Sequence, residues 1–67
     1  MTKNLNQAVV GDKIIQFGAV RFAGPAEVIA VDRTSYGVAS VKARTAGGMC
    51  TFYPAAGAMG LKRIVTL

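Results

Sequence analysis

The segment from Met49 to Val65 constrains the fold of this chain more than any other. A short apolar stretch, 49–53, stops at Pro54, and a run of small residues, 55–60, leads into a second stretch, 61–65. Proline cannot donate a hydrogen bond to a strand ladder, and the connection is too short for an amphipathic helix. The segment therefore predicts a strand, one helical turn and a final strand, which is how a small β-barrel closes its last seam.

Three further strands are predicted before this segment. They cover residues 13–17, 26–31 and 36–44, and each is bounded by glycine, proline or aspartate. The segment 18–25 contains two glycines and a proline, which favours a loop with Val20 and Phe22 as buried anchors. The sequence thus gives five short strands and no helix of ordinary length.

The connections suit a closed antiparallel fold. Gly47 and Gly48 tolerate positive φ, so they favour a tight hairpin before Met49. We therefore expect an all-β protein with one domain at 11–67, a single small five-stranded SH3-like barrel with one short helical turn before the last strand. Residues 1–10 are polar at their start and are expected to form an extended N-terminal arm.

The small size of the chain makes a partner protein an economical source of stability. In a domain of 67 residues, the free energy of apolar burial barely offsets the entropy cost of ordering the chain. The single cysteine, Cys50, excludes an internal disulfide, and a chain with no histidine and three acidic residues is a poor metal ligand. We therefore expect no cofactor, and other protein subunits as partners, in a homo-oligomer or a larger assembly.

The apolar residues also point to a covered surface. Hydrophobic residues make up 52% of the chain and charged residues 16%, which is below the usual quarter. In the predicted strand 26–31, Val28 and Ala30 alternate with Ile29 and Val31, so both faces are apolar and need covering. Tyr53 fits either the rim of the core or a binding face. The residues predicted to contact a partner are Val9, Val10, Ile15, Ile29, Val31 and Tyr53.

Catalysis is disfavoured by the available side chains. Without histidine, no Ser–His or Cys–His pair can form. Asp12 and Asp32 follow turn and strand-end positions, where a carboxylate bonds nearby backbone N–H groups, and Glu27 is expected to pair with a basic neighbour. Cys50 shares a strand face with Phe52 and is interpreted as a small buried hydrophobic residue. The sequence therefore predicts a protein that is not an enzyme.

A nucleic-acid-binding barrel is the alternative that the charge suggests. The net charge is +5, which favours anionic partners. Phe17, Phe22 and Tyr36 could supply stacking surfaces beside a basic patch. The basic residues that could gather at one end of the barrel are Lys42, Arg44, Lys62 and Arg63.

Two resemblances to known families support a small barrel. The first is to the opening of the KOW-type barrels of ribosomal and elongation-factor proteins. It rests on Gly11, Asp12, Lys13 and Ile14, followed by Gly24 and the apolar strand that ends at Val31.

The second resemblance covers residues 11–64 and is to the plasmid-borne type II dihydrofolate reductases. That family implies an SH3-like tetramer whose symmetric pore binds NADPH and dihydrofolate. The resemblance rests on Gly11 and Asp12, Tyr36 and Val38, Phe52 to Pro54, and Arg63 with Ile64.

The pore residues of that family are mostly replaced here. The family lines its pore with a Val-Gln-Ile-Tyr segment, where this chain has Cys50, Thr51, Phe52 and Tyr53. Gln16 stands where the family has a lysine from the first strand. The resemblance therefore supports the fold and oligomerisation, and it counts against the reductase activity.

The sequence predicts a non-enzymatic structural module that packs into a larger protein assembly, with a virion or capsid-stabilising protein as one example. No run of apolar residues is long enough for a membrane span and no signal-peptide pattern is present. We expect a cytoplasmic or virion location. The nucleic-acid-binding barrel and a reductase-like enzyme are the alternatives.

Overall fold

The structure is a computed structural model that describes residues 1–35, 37–54 and 59–67. It is all-β, with one sheet of six antiparallel strands in the order β1-β6-β2-β3-β4-β5. Two short 3-10 turns lie between strands, η1 after β1 and η2 before β6. The elements are β1 (Thr2–Asn4), η1 (Leu5–Gln7), β2 (Lys13–Phe17), β3 (Val20–Thr34), β4 (Gly37–Thr45), β5 (Gly48–Phe52), η2 (Met59–Leu61) and β6 (Arg63–Thr66).

Most predicted strands are present with shifted ends. The strand predicted at 13–17 has those bounds as β2, and β4 and β5 lie within one or two residues of their predicted positions. The last strand begins at Arg63 rather than Leu61, because Leu61 belongs to η2. The predicted helical turn at 55–60 lies outside the described residues at 55–58, and η2 is a 3-10 turn just before the final strand.

The predicted loop at 18–25 is wrong, because the turn between β2 and β3 ends at Ala19 and β3 begins at Val20. The register with β2 nevertheless jumps from Ile14 opposite Ala26 to Gln16 opposite Arg21. Residues 22–25 therefore form a bulge of four residues opposite Ile15. A bulge suits a segment that contains glycine and a proline without an N–H. Val20, expected to be a buried anchor, is 60% exposed.

A second bulge in β3 explains its apolar run on both faces. Val28 lies opposite Ala43, and Ala30 lies opposite Lys42, so Ile29 is an extra residue without a counterpart. An extra residue moves the following side chains to the other face of the strand. Val28 is buried and Val31 packs against the core, while Ala30 is exposed.

The sheet is strongly curled around its core. Phe17 in β2 and Phe52 in β5 are separated by two intervening strands, which is about 14 Å in a flat sheet. Their ring centroids are 5.1 Å apart, so the sheet folds its core-facing side inward. The buried apolar core consists of Leu5, Ala8, Ile14, Ala26, Val28, Val38, Val41, Ala43 and Ile64.

Among the described residues, the curled sheet is not closed by hydrogen bonds. In that part of the chain its two outer strands, β1 and β5, do not pair with each other. A closed barrel is therefore not confirmed. The count of five strands is not confirmed either, since the additional strand is β1, formed within residues 1–10.

Residues 1–10, expected as an extended arm, pack onto their own chain. Leu5 and Ala8 are fully buried in the core. The amino group of Met1 donates to the carbonyl of Thr66 at 2.8 Å, and the Thr66 N–H donates to the Met1 carbonyl at 2.7 Å. The guanidinium of Arg33 donates to the Ala8 carbonyl at 3.0 Å. This segment is part of the folded domain, and contacts with its own chain are enough to order it.

A tight turn ends this segment and is held by Asp12. The Asp12 N–H donates to the Val9 carbonyl at 3.1 Å, and the Val9 N–H donates to the Asp12 carboxylate at 3.0 Å. Gly11 has a φ of +99°, which favours glycine at this position. The carboxylate also pairs with the ammonium of Lys3 at 2.6 Å. The prediction that Asp12 bonds nearby backbone is confirmed.

The ionisation of Asp12 follows from these contacts. Burial by itself raises the pKa of the Asp12 carboxyl. The hydrogen bonds from Lys3 and from the Val9 N–H, together with the positive charge of Lys3, outweigh it and hold the pKa below its usual value. Asp12 is thus a structural anion that fastens the N-terminal segment to the start of β2.

Candidate interaction site

An apolar cavity of about 500 Å³ lies between the first half of β3 and the β4–β5 hairpin. Phe22 approaches it from the β3 bulge, and Cys50 with Phe52 approach it from β5. All three side chains are half-buried and pack against the core. The cavity thus lies between two parts of the sheet, the start of β3 and β5, that are not neighbours in the strand order.

Small residues leave this space open. Ala23 and Gly24 form its wall on the β3 side, and Ala46 and Gly47 form it at the hairpin. None of these four residues has a side chain larger than a methyl group, so they leave space beside the rings of Phe22 and Phe52. The hairpin is fixed by the Thr45 hydroxyl, which donates to the Gly48 carbonyl at 2.7 Å.

One cation lines the cavity, and two more lie on the strand beside β5. Arg21 is exposed and lines it, and no aspartate or glutamate among the described residues does so. On β4, Arg44 lies opposite Met49 and Lys42 lies opposite Thr51, and both cations are exposed. Glu27 faces Arg44 from β3, on the side away from β5. Lys42 and Arg44 therefore lie on the outer face of the sheet, whereas Cys50 and Phe52, opposite the buried Ala43 and Val41, line the cavity on the inner face.

The outer edge of β5 is open. Within the described part of the chain, β5 pairs with β4 and with no other strand. An antiparallel strand with one neighbour leaves about half of its backbone N–H and C=O groups unpaired by the sheet. This edge borders the cavity, because Cys50 and Phe52 belong to both.

The six apolar residues predicted to contact a partner fall in different places. Val9 and Val10 are 47% and 64% exposed at the turn before β2. The Gly11 N–H donates to the Val28 carbonyl and the Val28 N–H donates to the Asp12 carbonyl, which brings this turn beside the Ile29 bulge. The remaining positions are Ile15, half-buried at the irregular register of β2, Ile29 and Val31, half-buried in β3, and Tyr53, 58% exposed after β5.

The exposed apolar side chains are not the result of an open chain. The accessible surface is 4221 Å², close to the roughly 4,000 Å² expected for a folded monomer of this mass. The large hydrophobic residues that remain exposed on this compact surface are Met1, Val9, Val10, Val20, Met49, Tyr53, Leu61 and Leu67.

The four predicted nucleic-acid-binding residues form two pairs. Lys42 and Arg44 point outward from β4, whereas Lys62 and Arg63 lie at the start of β6, and two strands separate β6 from β4. The Lys62 ammonium lies 6.0 Å from the centroid of the Phe17 ring. Phe17 packs against the core, so that ring is engaged inside the domain. Tyr36 lies outside the described residues.

Gln16, Cys50 and Phe52, which the sequence resemblance matched to pore positions of the reductases, make contacts within this chain. The Gln16 amide donates to the Gly18 carbonyl at 2.9 Å, within the β2–β3 turn. Cys50 and Phe52 share one face of β5, as predicted, although Cys50 is half-buried rather than buried. The ion pair expected at Glu27 is not formed among the described residues, where Lys3 and Asp12 are the pair within bonding distance.

Sequence reasoning missed the cavity and the open strand edge. Ala23 and Gly24 were predicted only as loop residues and Gly47 only as a hairpin residue, and Ala46 was assigned no role. The available signal was the small size of these residues on two segments that flank Phe22 and Phe52. Their proximity depends on the curl of the sheet, which a single-sequence pattern does not encode.

No metal-binding cluster of three or more histidine, cysteine, aspartate or glutamate residues is found in the described part of the chain. No helix in that part is long and apolar enough to cross a membrane. In the comparisons with known proteins, no family model, curated protein or solved structure matches this chain.

Proposed function

We propose that this protein is a non-enzymatic interaction module that packs into a larger protein assembly, with other copies of the chain among its neighbours. The observation that carries the proposal is the exposure of large apolar side chains on an otherwise compact surface. Exposed apolar groups that lie near one another favour association, because contact removes them from water. A virion shell is one assembly of this kind.

The turn before β2 is the proposed first contact. Val9 and Val10 are adjacent and exposed, and the bonds of Asp12 hold their backbone in one conformation. A rigid apolar turn loses little conformational entropy when it binds, which favours affinity. The neighbouring Ile29 bulge extends the same apolar region.

Sedimentation velocity of the purified protein over a wide concentration range tests the proposal. We expect the sedimentation coefficient to rise with concentration, and replacement of Val9 and Val10 by serine to reduce association. Val20→Ser is the control, since Val20 is a similarly exposed valine at the start of β3, away from the Val9–Val10 turn. A folded protein that stays monomeric at every concentration would contradict the proposal.

We also propose that the curled sheet has an SH3-like architecture. Five of its strands follow the order β6-β2-β3-β4-β5, and a 3-10 turn precedes the last strand. The ring of Phe17 on β2 stacks on the ring of Phe52 on β5. These features support a small barrel with β1 as an added edge strand. Nuclear Overhauser effects between the two rings in solution would test the curl, and their absence would leave a flatter sheet.

A nucleic-acid-binding function is the second candidate, and it rests on Lys42 and Arg44. Both are exposed, and they lie two residues apart on the outward face of β4. Phosphate contacts require an affinity that falls steeply with salt. Titration of a single-stranded oligonucleotide at several salt concentrations tests this, with replacement of both cations by glutamine. Salt-independent binding, or no loss in the double variant, would remove this candidate.

A further inference from the structure

We propose that the cavity and the free edge of β5 form one binding site for an extended, acidic segment of a partner protein. The segment adds a strand to β5 and inserts apolar side chains into the cavity. This inference rests on the proposed interaction function and names the partner's chemistry. The site differs from the Val9–Val10 turn, which precedes β2 and does not line the cavity.

The backbone of β5 supplies the first requirement for strand addition. Its five residues, Gly48–Phe52, pair in continuous register with β4, so the strand has no bulge. The opposite edge is without a strand neighbour among the described residues. An extended peptide can hydrogen-bond to such an edge, and this backbone pairing supplies affinity without demanding a particular sequence.

The cavity supplies specificity for side-chain type. Its volume of about 500 Å³ and its walls from Phe22, Cys50 and Phe52 suit aliphatic or aromatic side chains. In an added strand, alternate residues point to the same side. A segment with apolar residues at every second position can therefore fill the cavity while it pairs with β5.

The charge around the edge selects the remaining residues of the segment. Arg21 lines the cavity, and Lys42 and Arg44 stand on the strand beside β5, opposite Thr51 and Met49. A second copy of the chain has the same net charge of +5 and the same cations beside its edge, so pairing of two β5 edges is electrostatically disfavoured. An acidic segment is complementary to this edge.

The test uses a capped, fluorescein-labelled heptapeptide in which glutamate alternates with valine or leucine. Binding to the full-length protein is followed by fluorescence anisotropy at physiological salt. The expected result is saturable binding, with the amide signals of residues 48–52 and 21–24 shifting in heteronuclear NMR spectra. The spectra map the site without relying on any variant.

Two substitutions test the charge and the volume of the cavity. Arg21→Glu reverses the charge at the cavity, and Ala23→Trp fills it; each is expected to weaken binding by about tenfold. The matched controls are Arg63→Glu on β6 and Ala30→Trp on the outer face of β3. Both control residues are exposed and do not line the cavity, so binding should stay within about twofold.

Three peptide results would overturn the inference. Equal binding of a peptide with lysine in place of glutamate would refute the acidic specificity. Equal binding of a peptide with prolines at its central positions would refute strand addition, because proline removes the donors. No binding at millimolar concentration would refute the site altogether. In that last case, concentration-dependent sedimentation would still support the interaction function, so the two failures are distinguishable.

Discussion

The edges of β6 and β5 are treated in opposite ways in this sheet, in which β1 covers β6. At the β6 side, the chain covers the edge with its own N-terminal residues, where β1 pairs with β6 and Leu5 enters the core. At the β5 side, the edge is left unpaired within the described residues and borders a cavity. One edge contributes to the stability of the domain, and the other is available for binding.

The difference is one of side-chain chemistry as well as of pairing. The covered edge is closed by specific bonds, including the Lys3–Asp12 ion pair and the Arg33 bond to the Ala8 carbonyl. The open edge is flanked by exposed cations, which are a common protection against edge-to-edge aggregation. Substitutions at the covered edge should therefore change the free energy of unfolding, and those at the open edge should change binding.

The largest expected loss of stability follows Leu5→Ala. Leu5 is fully buried, so its truncation removes apolar contacts and leaves a cavity, at a cost of about 2–5 kcal/mol in the free energy of unfolding. Urea denaturation followed by circular dichroism measures it. The control Val10→Ala, at an exposed position, should cost less than about 0.5 kcal/mol. Equal costs for the two variants would show that the N-terminal segment does not pack as described.

Gly60→Ala should have the next largest effect. A Cβ at Gly60 would overlap the side-chain amide of Asn6, where η2 meets η1. Asn6 is exposed and its amide can rotate away, so the cost is at the low end of overpacking, about 1 kcal/mol. Replacement of Asn6 by alanine in the same chain should restore most of the stability. A double variant as unstable as the single one would mean that the overlap is not the cause.

Asp12→Asn should lower the free energy of unfolding by about 0.5–1 kcal/mol at neutral pH, because it removes the ion pair with Lys3. The pKa of Asp12 is lowered in the folded protein, so its contribution is present above the unfolded pKa and is lost as the pH falls through the folded pKa. The difference between the two proteins should therefore shrink below about pH 4. Urea titrations at neutral and acidic pH measure it, and a constant difference would contradict the role of the carboxylate.

The smallest effect on stability is expected at the open edge. Met49→Ser changes a 55% exposed side chain on β5, so the free energy of unfolding should stay within about 0.5 kcal/mol. The same urea titration measures it. A loss as large as that of Leu5→Ala would show that β5 is covered rather than open.

The strand positions were predictable from sequence because they depend on local patterns. Lys13–Phe17 is bounded by turn residues on both sides, and β2 has those bounds. The run from Gly18 to Pro25 was misassigned because glycine and proline mark a bulge as well as a loop. The bulge at Ile29 likewise turned an apparent two-sided strand into one that faces the core.

The candidate site was only partly predictable. Val9, Val10 and Tyr53, which were predicted to contact a partner, are exposed, and that role stays a prediction. The covering of one edge by residues 1–10 depends on pairing between the two ends of the chain. Such long-range pairing leaves no periodic signal in the sequence, so a short polar N-terminus was interpreted as an arm.

The bond between Met1 and Thr66 joins residues separated by 65 positions, and this has a consequence for the order of folding. Closing so large a loop is slow compared with forming the hairpins of β2 to β5, whose partners are close in sequence. We therefore expect the hairpins to form first and the pairing of β1 with β6 to complete the structure. During synthesis, β6 emerges after β1 to β5, so β1 has no strand partner until β6 has left the ribosome.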